Sequence, residues 1–114
     1  MAKKKPAPAA PSAPPQIFKA TRGSQGRVIK GERIDRAEAE AQRKAGLDVV
    51  VCGPDHRANK ALAGLIERNA NGAAKRCPPH VNEGPYALPH YQPDPRPPEG
   101  HTFYETPNRR ASAS

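Results

Sequence analysis

The apolar residues of this chain lie in short blocks, and one block predicts a buried strand. Residues 47–52 read Leu-Asp-Val-Val-Val-Cys, a run that is largely continuous rather than alternating. Such a run is typical of a strand that is covered on both faces. We therefore expect the folded unit to be built around this strand.

Two segments with helical signals flank the strand. The first is predicted to begin at an Asp35 cap, with Glu38 completing a capping box, and to end at Gly46. The second is predicted to follow Pro54, a residue that suits the first turn of a helix, and to extend to residue 70. Its apolar residues recur at helical spacing: Ala58, Leu62, Leu65 and Ile66.

Further along, a proline-rich loop leads into a short aromatic strand. Five prolines and Gly100 lie between positions 89 and 100, and they argue against a continuous helix or a central strand there. Residues 101–106 are rich in β-branched and aromatic side chains and predict a strand, and residues 73–76 predict another short one. The predicted fold class is α+β, a small domain with two helices and a short β-sheet.

Composition separates this domain from both ends of the chain. Residues 1–33 are rich in Pro, Ala and Lys and are expected to form a flexible basic leader. The domain is expected at residues 34–106, and residues 107–114 are expected to be a disordered tail. The chain has 15 Pro, 9 Gly and no Trp, so the core should be small.

The net charge of +8 is concentrated near the amino terminus. Residues 1–46 contain eleven Lys and Arg but only four Asp and Glu, which leaves +7 there. A basic arm attracts polyanions such as nucleic acid, and it also keeps a weakly apolar protein soluble. No apolar run approaches the ~20 residues that cross a bilayer, so membrane insertion is not expected. The first residues also lack the apolar segment of a signal peptide.

The predicted catalytic residues lie in the proline loop and the strand after it. RNA cleavage without a metal needs a base for the 2′-OH, an acid for the leaving 5′ oxygen and a cation for the phosphate. Histidine side chains titrate near neutral pH, and arginine binds phosphate through a planar set of donors. We predict His90 and His101 as the acid/base pair, Arg96 as the phosphate clamp and Glu105 as an orienting or substitute base.

Four further residues are candidates for substrate binding. Tyr91 and Tyr104 lie beside the predicted strand and are suited to stacking on a base. His56 and Arg57 lie at the start of the second helix, where free N–H groups bind phosphate. An ordinary strand-to-helix turn is the competing interpretation of that segment, which has neither a dinucleotide fingerprint nor a Walker motif.

The two cysteines allow three interpretations. Cys52, Cys77, His80 and His90 have the ligand types of a zinc site, although only Cys77 and His80 are closely spaced. A Cys52–Cys77 disulfide would instead strengthen the small core in an oxidising compartment, and two free thiols are the third interpretation. The leading expectation is that the protein needs no cofactor, with zinc as the alternative.

Three strings in the predicted domain carry a resemblance: VVVCGPDHRANKALA at 49–63, ALPHYQP at 87–93 and GHTFYE at 100–105. They are similar to the carboxy-terminal toxin domains of bacterial polymorphic toxin systems, many of which are small nucleases of the barnase/RelE type. The resemblance implies a protein delivered from the producing bacterium, in association with a secretion-system carrier. Such a protein acts in the cytoplasm of the target cell, and a cognate immunity protein inhibits it.

Three classes of function follow from these observations. The leading hypothesis is an antibacterial toxin that is a metal-independent ribonuclease. The second is a metal-dependent nuclease or hydrolase that uses the histidines or the Cys/His set as ligands. The third is a non-enzymatic, small basic module that binds RNA or protein.

Overall fold

The computed structural model describes residues 13–79, 84, 86–94 and 97–113, and this part of the chain forms two helices and a six-stranded mixed sheet. The predicted α+β class is confirmed. The helices are α1 (Arg36–Lys44) and α2 (His56–Asn71). The strands are β1 (Gln16–Arg22), β2 (Val28–Ile34), β3 (Val49–Cys52), β4 (Lys75–Cys77), β5 (His90–Gln92) and β6 (Thr102–Tyr104).

The sheet has the strand order β2-β1-β3-β6-β5-β4, with the predicted strand β3 near its middle. Neighbouring strands are antiparallel except for β3 and β6, which are parallel with Val50 opposite Phe103. A parallel pair requires a long crossover connection, and here the chain forms α2, β4 and β5 after β3 before it reaches β6. Residues far apart in the chain therefore meet at the centre of the sheet.

Side chains alternate between the two faces of the sheet, and each face has its own apolar cluster. On the helix face, Val49, Val51 and Tyr104 pack with Ala39 of α1 and Ile66 of α2. On the other face, which we call the loop face, the cluster contains Val28, Val50, Cys52, Leu88 and Phe103, with Phe18, Ala20 and Ala111 packed against it. The loop face is thus covered by irregular segments and carries no helix in the described part of the chain.

The folded unit extends beyond the predicted limits of 34–106 at both ends. Ile17 of β1 is buried opposite Val51, although β1 carries few apolar residues. In the predicted tail, Ser112 exchanges two backbone hydrogen bonds of 2.8 Å with β2, through Lys30 N–H and the Val28 carbonyl. Of the predicted leader at residues 1–33, residues 1–12 lie outside the described residues, whereas β1 and most of β2 lie in the rest of it.

Helix signals in the sequence were reliable. The Asp35 carboxylate accepts a hydrogen bond of 2.8 Å from Glu38 N–H at the start of α1, as the capping box predicts. At the start of α2, Asp55 accepts from the N–H groups of Arg57 and Ala58, and Pro54 precedes it. The described helices are too short, or not apolar enough, to cross a membrane.

The prediction that prolines exclude a central strand from residues 89–100 was wrong at β5. This strand has three residues and lies between β6 and β4. It fits because Pro89 and Pro93 flank it, so neither proline has to donate a hydrogen bond within the ladder. The Pro89 carbonyl accepts a bond of 3.2 Å from Tyr104 N–H, which continues the pairing by one residue.

A buried ion pair joins the two helices. Arg43 and Glu67 are both fully buried, and Arg43 Nε donates to Glu67 Oε1 at 2.8 Å. Arg43 Nη1 also donates to the carbonyl oxygens of Leu47 at 2.9 Å and Glu99 at 3.0 Å. Glu67 Oε1 accepts a second bond, of 3.0 Å, from Thr102 Oγ1.

This network holds the chain on both sides of His101, through the Glu99 carbonyl and the Thr102 side chain. Gly100, which follows Glu99, has φ of +92°, a conformation that favours glycine. A Cβ atom at Gly100 would collide with the Arg43 guanidinium and the Gly46 carbonyl. The backbone that leads into β6 is therefore tightly packed and leaves no room for a side chain at position 100.

Arg43→Ala should reduce the free energy of unfolding by about 3–5 kcal/mol, because it leaves the Glu67 carboxylate buried without its cation. Denaturant unfolding measures the loss. Lys44→Ala, an exposed change in the same helix, is the control and should stay within about 0.5 kcal/mol of the wild type. Equal stabilities for the two variants would contradict this account of the core.

Candidate functional site

The parallel register of β3 and β6 brings two polar pairs together on the loop face. Val50 is opposite Phe103, and the residues two positions away in each strand lie on the same face. Asp48 therefore lies next to His101 at one end, and Cys52 lies next to Glu105 at the other. Four residues of strand separate the two ends by about 13 Å, at ~3.3 Å per residue.

The Asp48–His101 pair is the more promising arrangement for catalysis. Asp48 Oδ1 lies 3.2 Å from His101 Nδ1 and also accepts a 2.8 Å bond from the His101 backbone N–H. A carboxylate at Nδ1 fixes the orientation of the ring and leaves Nε2 as the nitrogen for proton transfer. The His101 side chain is 11% exposed, so part of it reaches the surface.

The electrostatics of Asp48 favour its charged form. Burial alone would raise the pKa of Asp48, but hydrogen bonding and charge attraction from His101 outweigh this, and Arg22 adds a smaller attraction. The pKa of Asp48 is therefore held below its ordinary value of 3.8. The carboxylate is ionised at neutral pH and can stabilise a protonated His101.

His90 lies behind His101. It sits on β5 opposite Phe103 and is only 1% exposed. Its ring is 4.6 Å from that of His101 and 5.4 Å from that of Phe103, both edge to face. An acid and a base on opposite sides of a phosphate need space between them, whereas these two rings are in contact. The structure therefore brings the two predicted histidines into direct contact, with His90 buried.

Cations near Asp48 come from β1, which the sequence prediction had placed in the leader. Arg22 Nε lies 3.7 Å from Asp48 Oδ2, and the Arg22 side chain is half exposed. Lys19 and Arg22 also line an open depression of about 550 Å³ beside Asp48. The predicted phosphate clamp, Arg96, lies outside the described residues, so Arg22 is the cation that the described structure places at this site.

Glu105, predicted as a base, is occupied in holding the carboxy-terminal segment. Its Oε1 accepts from Gly53 N–H and Arg110 Nη1, both at 3.2 Å, and its Oε2 accepts from Ala111 N–H at 2.9 Å. Glu105 lies at the opposite end of the β3–β6 strand pair from His101. At its neighbour Cys52, burial, aided by the charge of Glu105, raises the pKa of the thiol to about 12, which disfavours the thiolate.

The tyrosines predicted to stack on a base lie on the helix face, opposite the histidines. The rings of Tyr91 and Tyr104 are 5.9 Å apart, and that of His56 is stacked 6.1 Å from Tyr104. Burial raises the pKa of Tyr104, which is 2% exposed, although Arg76 beside it opposes the shift. Arg57 is exposed nearby, but its backbone N–H already donates to Asp55. The four predicted substrate-binding residues are thus separated from His101 by the sheet.

The cysteine positions argue against the disulfide interpretation of the thiols. Both are free, and β3 and β4 are three strand spacings apart, or about 14 Å. A disulfide requires Cα atoms within ~7 Å, and a zinc ion binds each sulfur at ~2.3 Å. Cys52 and Cys77 therefore neither bridge nor share one zinc ion in this fold.

The fourth member of that zinc set, His80, lies outside the described residues. Within the described part of the chain, no group of three or more His, Cys, Asp or Glu side chains is arranged to hold a metal ion.

Comparisons with protein-family models, with curated proteins and with solved structures found no match. The site must therefore be interpreted from its own geometry.

Two residues at the site were missed from the sequence. Asp48 carried a signal, since it is the one acidic residue in the apolar run 47–52, but nothing local pairs it with His101, 53 positions away. Arg22 carried no signal, because the strand that positions it was assigned to the leader.

Asp48→Asn should lower stability in a pH-dependent way. The lowered pKa means that Asp48 stabilises the fold above pH 3.8, and that this stabilisation is lost as the pH falls through the folded-state pKa. The difference in unfolding free energy between wild type and variant should be fully present at neutral pH and shrink as the pH falls below 3.8. Denaturant titrations at several pH values test this, with the exposed Asp94→Asn as control. A difference that does not change with pH would argue against the Asp48–His101 interaction.

Proposed function

We propose that this protein cleaves RNA without a metal, with His101 as the acid–base residue and Asp48 as the residue that orients it. The observation that carries the proposal is the double contact of Asp48 Oδ1 with the Nδ1 and the backbone N–H of His101. A histidine oriented in this way presents one nitrogen for proton transfer near neutral pH. The net charge of +8 supports a polyanionic substrate.

In the proposed reaction, His101 Nε2 takes the proton of a ribose 2′-OH. The 2′ oxygen then forms a bond to the adjacent phosphorus, and the bond from phosphorus to the 5′ oxygen breaks. The 5′ oxygen takes a proton from water, and the hydroxide that remains takes the proton held by His101, which restores both. The products carry a 2′,3′-cyclic phosphate and a 5′-hydroxyl. The imidazolium formed on His101 is stabilised by the ionised carboxylate of Asp48.

Two neighbouring residues have supporting roles in this proposal. Arg22 would attract the phosphate and stabilise its developing charge, since it is half exposed and lies beside Asp48. His90 would hold the His101 ring in place by packing against it and against Phe103. Glu105 would maintain the fold through its bonds to Gly53 and Ala111.

His101→Ala should reduce RNA cleavage by about 10²–10⁴-fold, the usual contribution of a general acid or base. Asp48→Asn should reduce it as well, because the ring loses its ionised partner. Cleavage of a short labelled RNA, with the product ends identified by mass spectrometry, measures both. EDTA should have no effect, and DNA should remain intact because it lacks the 2′-OH.

His90 provides the comparison that separates proton transfer from support. His90→Phe keeps an aromatic ring behind His101 and should retain most of the activity, whereas His90→Ala leaves a cavity and should lose more. Equal, large losses in both variants would restore the original prediction of a His90/His101 acid/base pair. Loss of cleavage on chelation, or cleavage of DNA, would favour the metal-dependent alternative.

The proposal includes a biological role as an antibacterial toxin delivered from the producing bacterium and active in the cytoplasm of the target cell. It is supported by the similarity of three strings to polymorphic toxin domains, and by the harm that an RNA-cleaving protein does to its own cell. An acidic immunity protein would be the cognate partner, and a secretion-system carrier would deliver the toxin. RNA is the substrate in this proposal.

Expression of the wild-type chain in the bacterial cytoplasm should stop growth and degrade RNA, while the His101→Ala variant should be tolerated at equal protein level. Co-expression of an inhibitor encoded next to the toxin should restore growth, and its binding should raise the melting temperature of the toxin. Normal growth with intact RNA in cells that express folded wild-type protein would contradict the toxin role and favour a non-enzymatic binding module.

A further inference from the structure

Tyr86 is an exposed aromatic residue in a chain that has few aromatic residues. It is 42% exposed, and Leu47 is the other large hydrophobic residue with substantial exposure in the described structure. The guanidinium carbon of Arg27 lies over the Tyr86 ring, 4.3 Å from its centroid. The ring thus has a guanidinium on one face and keeps 42% of its surface exposed, on which a second planar group can stack.

The backbone beneath this pair is closely packed. Gly26 has φ of +76°, and a Cβ atom there would lie 3.2 Å from the Ala87 backbone. Gly84 has φ of +128°, and a Cβ atom there would collide with the backbone of Gln25. The turn that carries Arg27 and the segment that carries Tyr86 are therefore in direct backbone contact, which both glycines permit.

A third contact fixes the same segment. Arg109 Nη1 donates a hydrogen bond of 2.9 Å to the Ala87 carbonyl, so a second guanidinium lies close to Tyr86. An aromatic side chain on such a constrained backbone loses little conformational freedom when a ligand stacks on it. The two guanidinium groups also favour a ligand that carries negative charge.

We propose that Arg27 and Tyr86 form a base-stacking site for single-stranded RNA. Aromatic side chains stack on any base, and arginine adds stacking and attraction for the phosphate backbone. Tyr86 is four residues from His90, so their Cα atoms are at most about 14 Å apart. A strand stacked on Tyr86 would thus have its neighbouring nucleotides near the histidines. This proposal rests on the proposed function for the identity of the ligand as RNA.

In this proposal Tyr86 stacks on an RNA base, which is the role first predicted for Tyr91 and Tyr104. Those rings pack on the helix face, and Tyr104 is almost fully buried. Tyr86 is on a segment that enters the loop-face cluster two residues later, at Leu88. Substrate stacked on Tyr86 would therefore lie on the side of the sheet that carries His90 and His101.

Fluorescence gives a direct test, because the chain has no Trp and Tyr86→Trp introduces a single reporter. A short single-stranded oligodeoxynucleotide is the probe, since it has bases and phosphates but lacks the 2′-OH needed for cleavage. We expect quenching of the Tyr86→Trp emission by this probe. An abasic oligonucleotide of equal length, with the same phosphates, should cause little quenching. Ala61→Trp, on the exposed surface of α2, is the matched control and should respond to neither.

Affinity measurements complete the test. Tyr86→Ala should weaken binding of the base-bearing probe by about tenfold or more, as expected for the loss of one stacked base. Tyr86→Phe should bind like the wild type, because the ring remains. Arg27→Lys keeps the charge but removes the planar group and should give an intermediate loss.

Equal quenching by the abasic probe would overturn the proposal, and so would unchanged affinity in Tyr86→Ala. Neither result depends on catalysis, because the probe is not cleaved. Conversely, if His101→Ala left RNA cleavage intact while the Tyr86 results were as expected, the proposed mechanism would fail and the stacking site would stand.

Discussion

The structure depends on the buried ion pair between Arg43 and Glu67. Removing two charges from water is costly, and a buried pair persists only when its remaining hydrogen-bonding groups are satisfied. Here the Leu47 and Glu99 carbonyls accept bonds from Arg43, and Thr102 and Asn71 donate to Glu67. The pair joins both helices to the segment that enters β6. Its main contribution is one of geometry, since it holds the chain on both sides of His101 and so sets where the imidazole lies.

The sheet then divides the molecule into a face covered by the two helices and a loop face, each with its own apolar cluster. Because β3 and β6 are parallel and in register, alternate side chains of both strands pack against the helices. The remaining side chains form a row on the loop face, with Asp48 and His101 at one end and Cys52 and Glu105 at the other. The ends of that row differ in chemistry. At the Cys52 end, Glu105 is fully engaged with backbone N–H groups and Arg110, which holds the carboxy-terminal segment down. At the Asp48 end, the His101 side chain is 11% exposed, and the half-exposed Arg22 lies beside Asp48.

Local signals in the sequence predicted the helices and the strand β3, whereas the side-chain contacts of the site join residues that are far apart in the chain. The valine run of β3 and the Asp35 and Asp55 caps act within a few residues, so both helices and the strand were located from the sequence. The strand β1 has weak apolar patterning and is held by pairing with β2 and β3, so the sequence placed it in the leader. Arg43 is charged, and its complete burial depends on Glu67, 24 positions away. His90, His101 and Glu105 were chosen for their proximity in the chain. The fold brings the histidines together, supplies Asp48 from another strand and places Glu105 elsewhere.

The central claim is that His101, oriented by Asp48, meets the RNA backbone. The most direct measurement is an NMR titration of the imidazole resonances with a short 2′-O-methyl RNA, which binds like RNA but has no 2′-OH to react. The four histidines can be assigned with single His→Gln variants. We predict that the His101 ring resonances shift on binding, whereas those of His56 on the opposite face do not. The His101 Nδ1 signal should show a hydrogen bond to a carboxylate, and this feature should disappear in Asp48→Asn. Unchanged His101 resonances at saturating RNA would contradict the account.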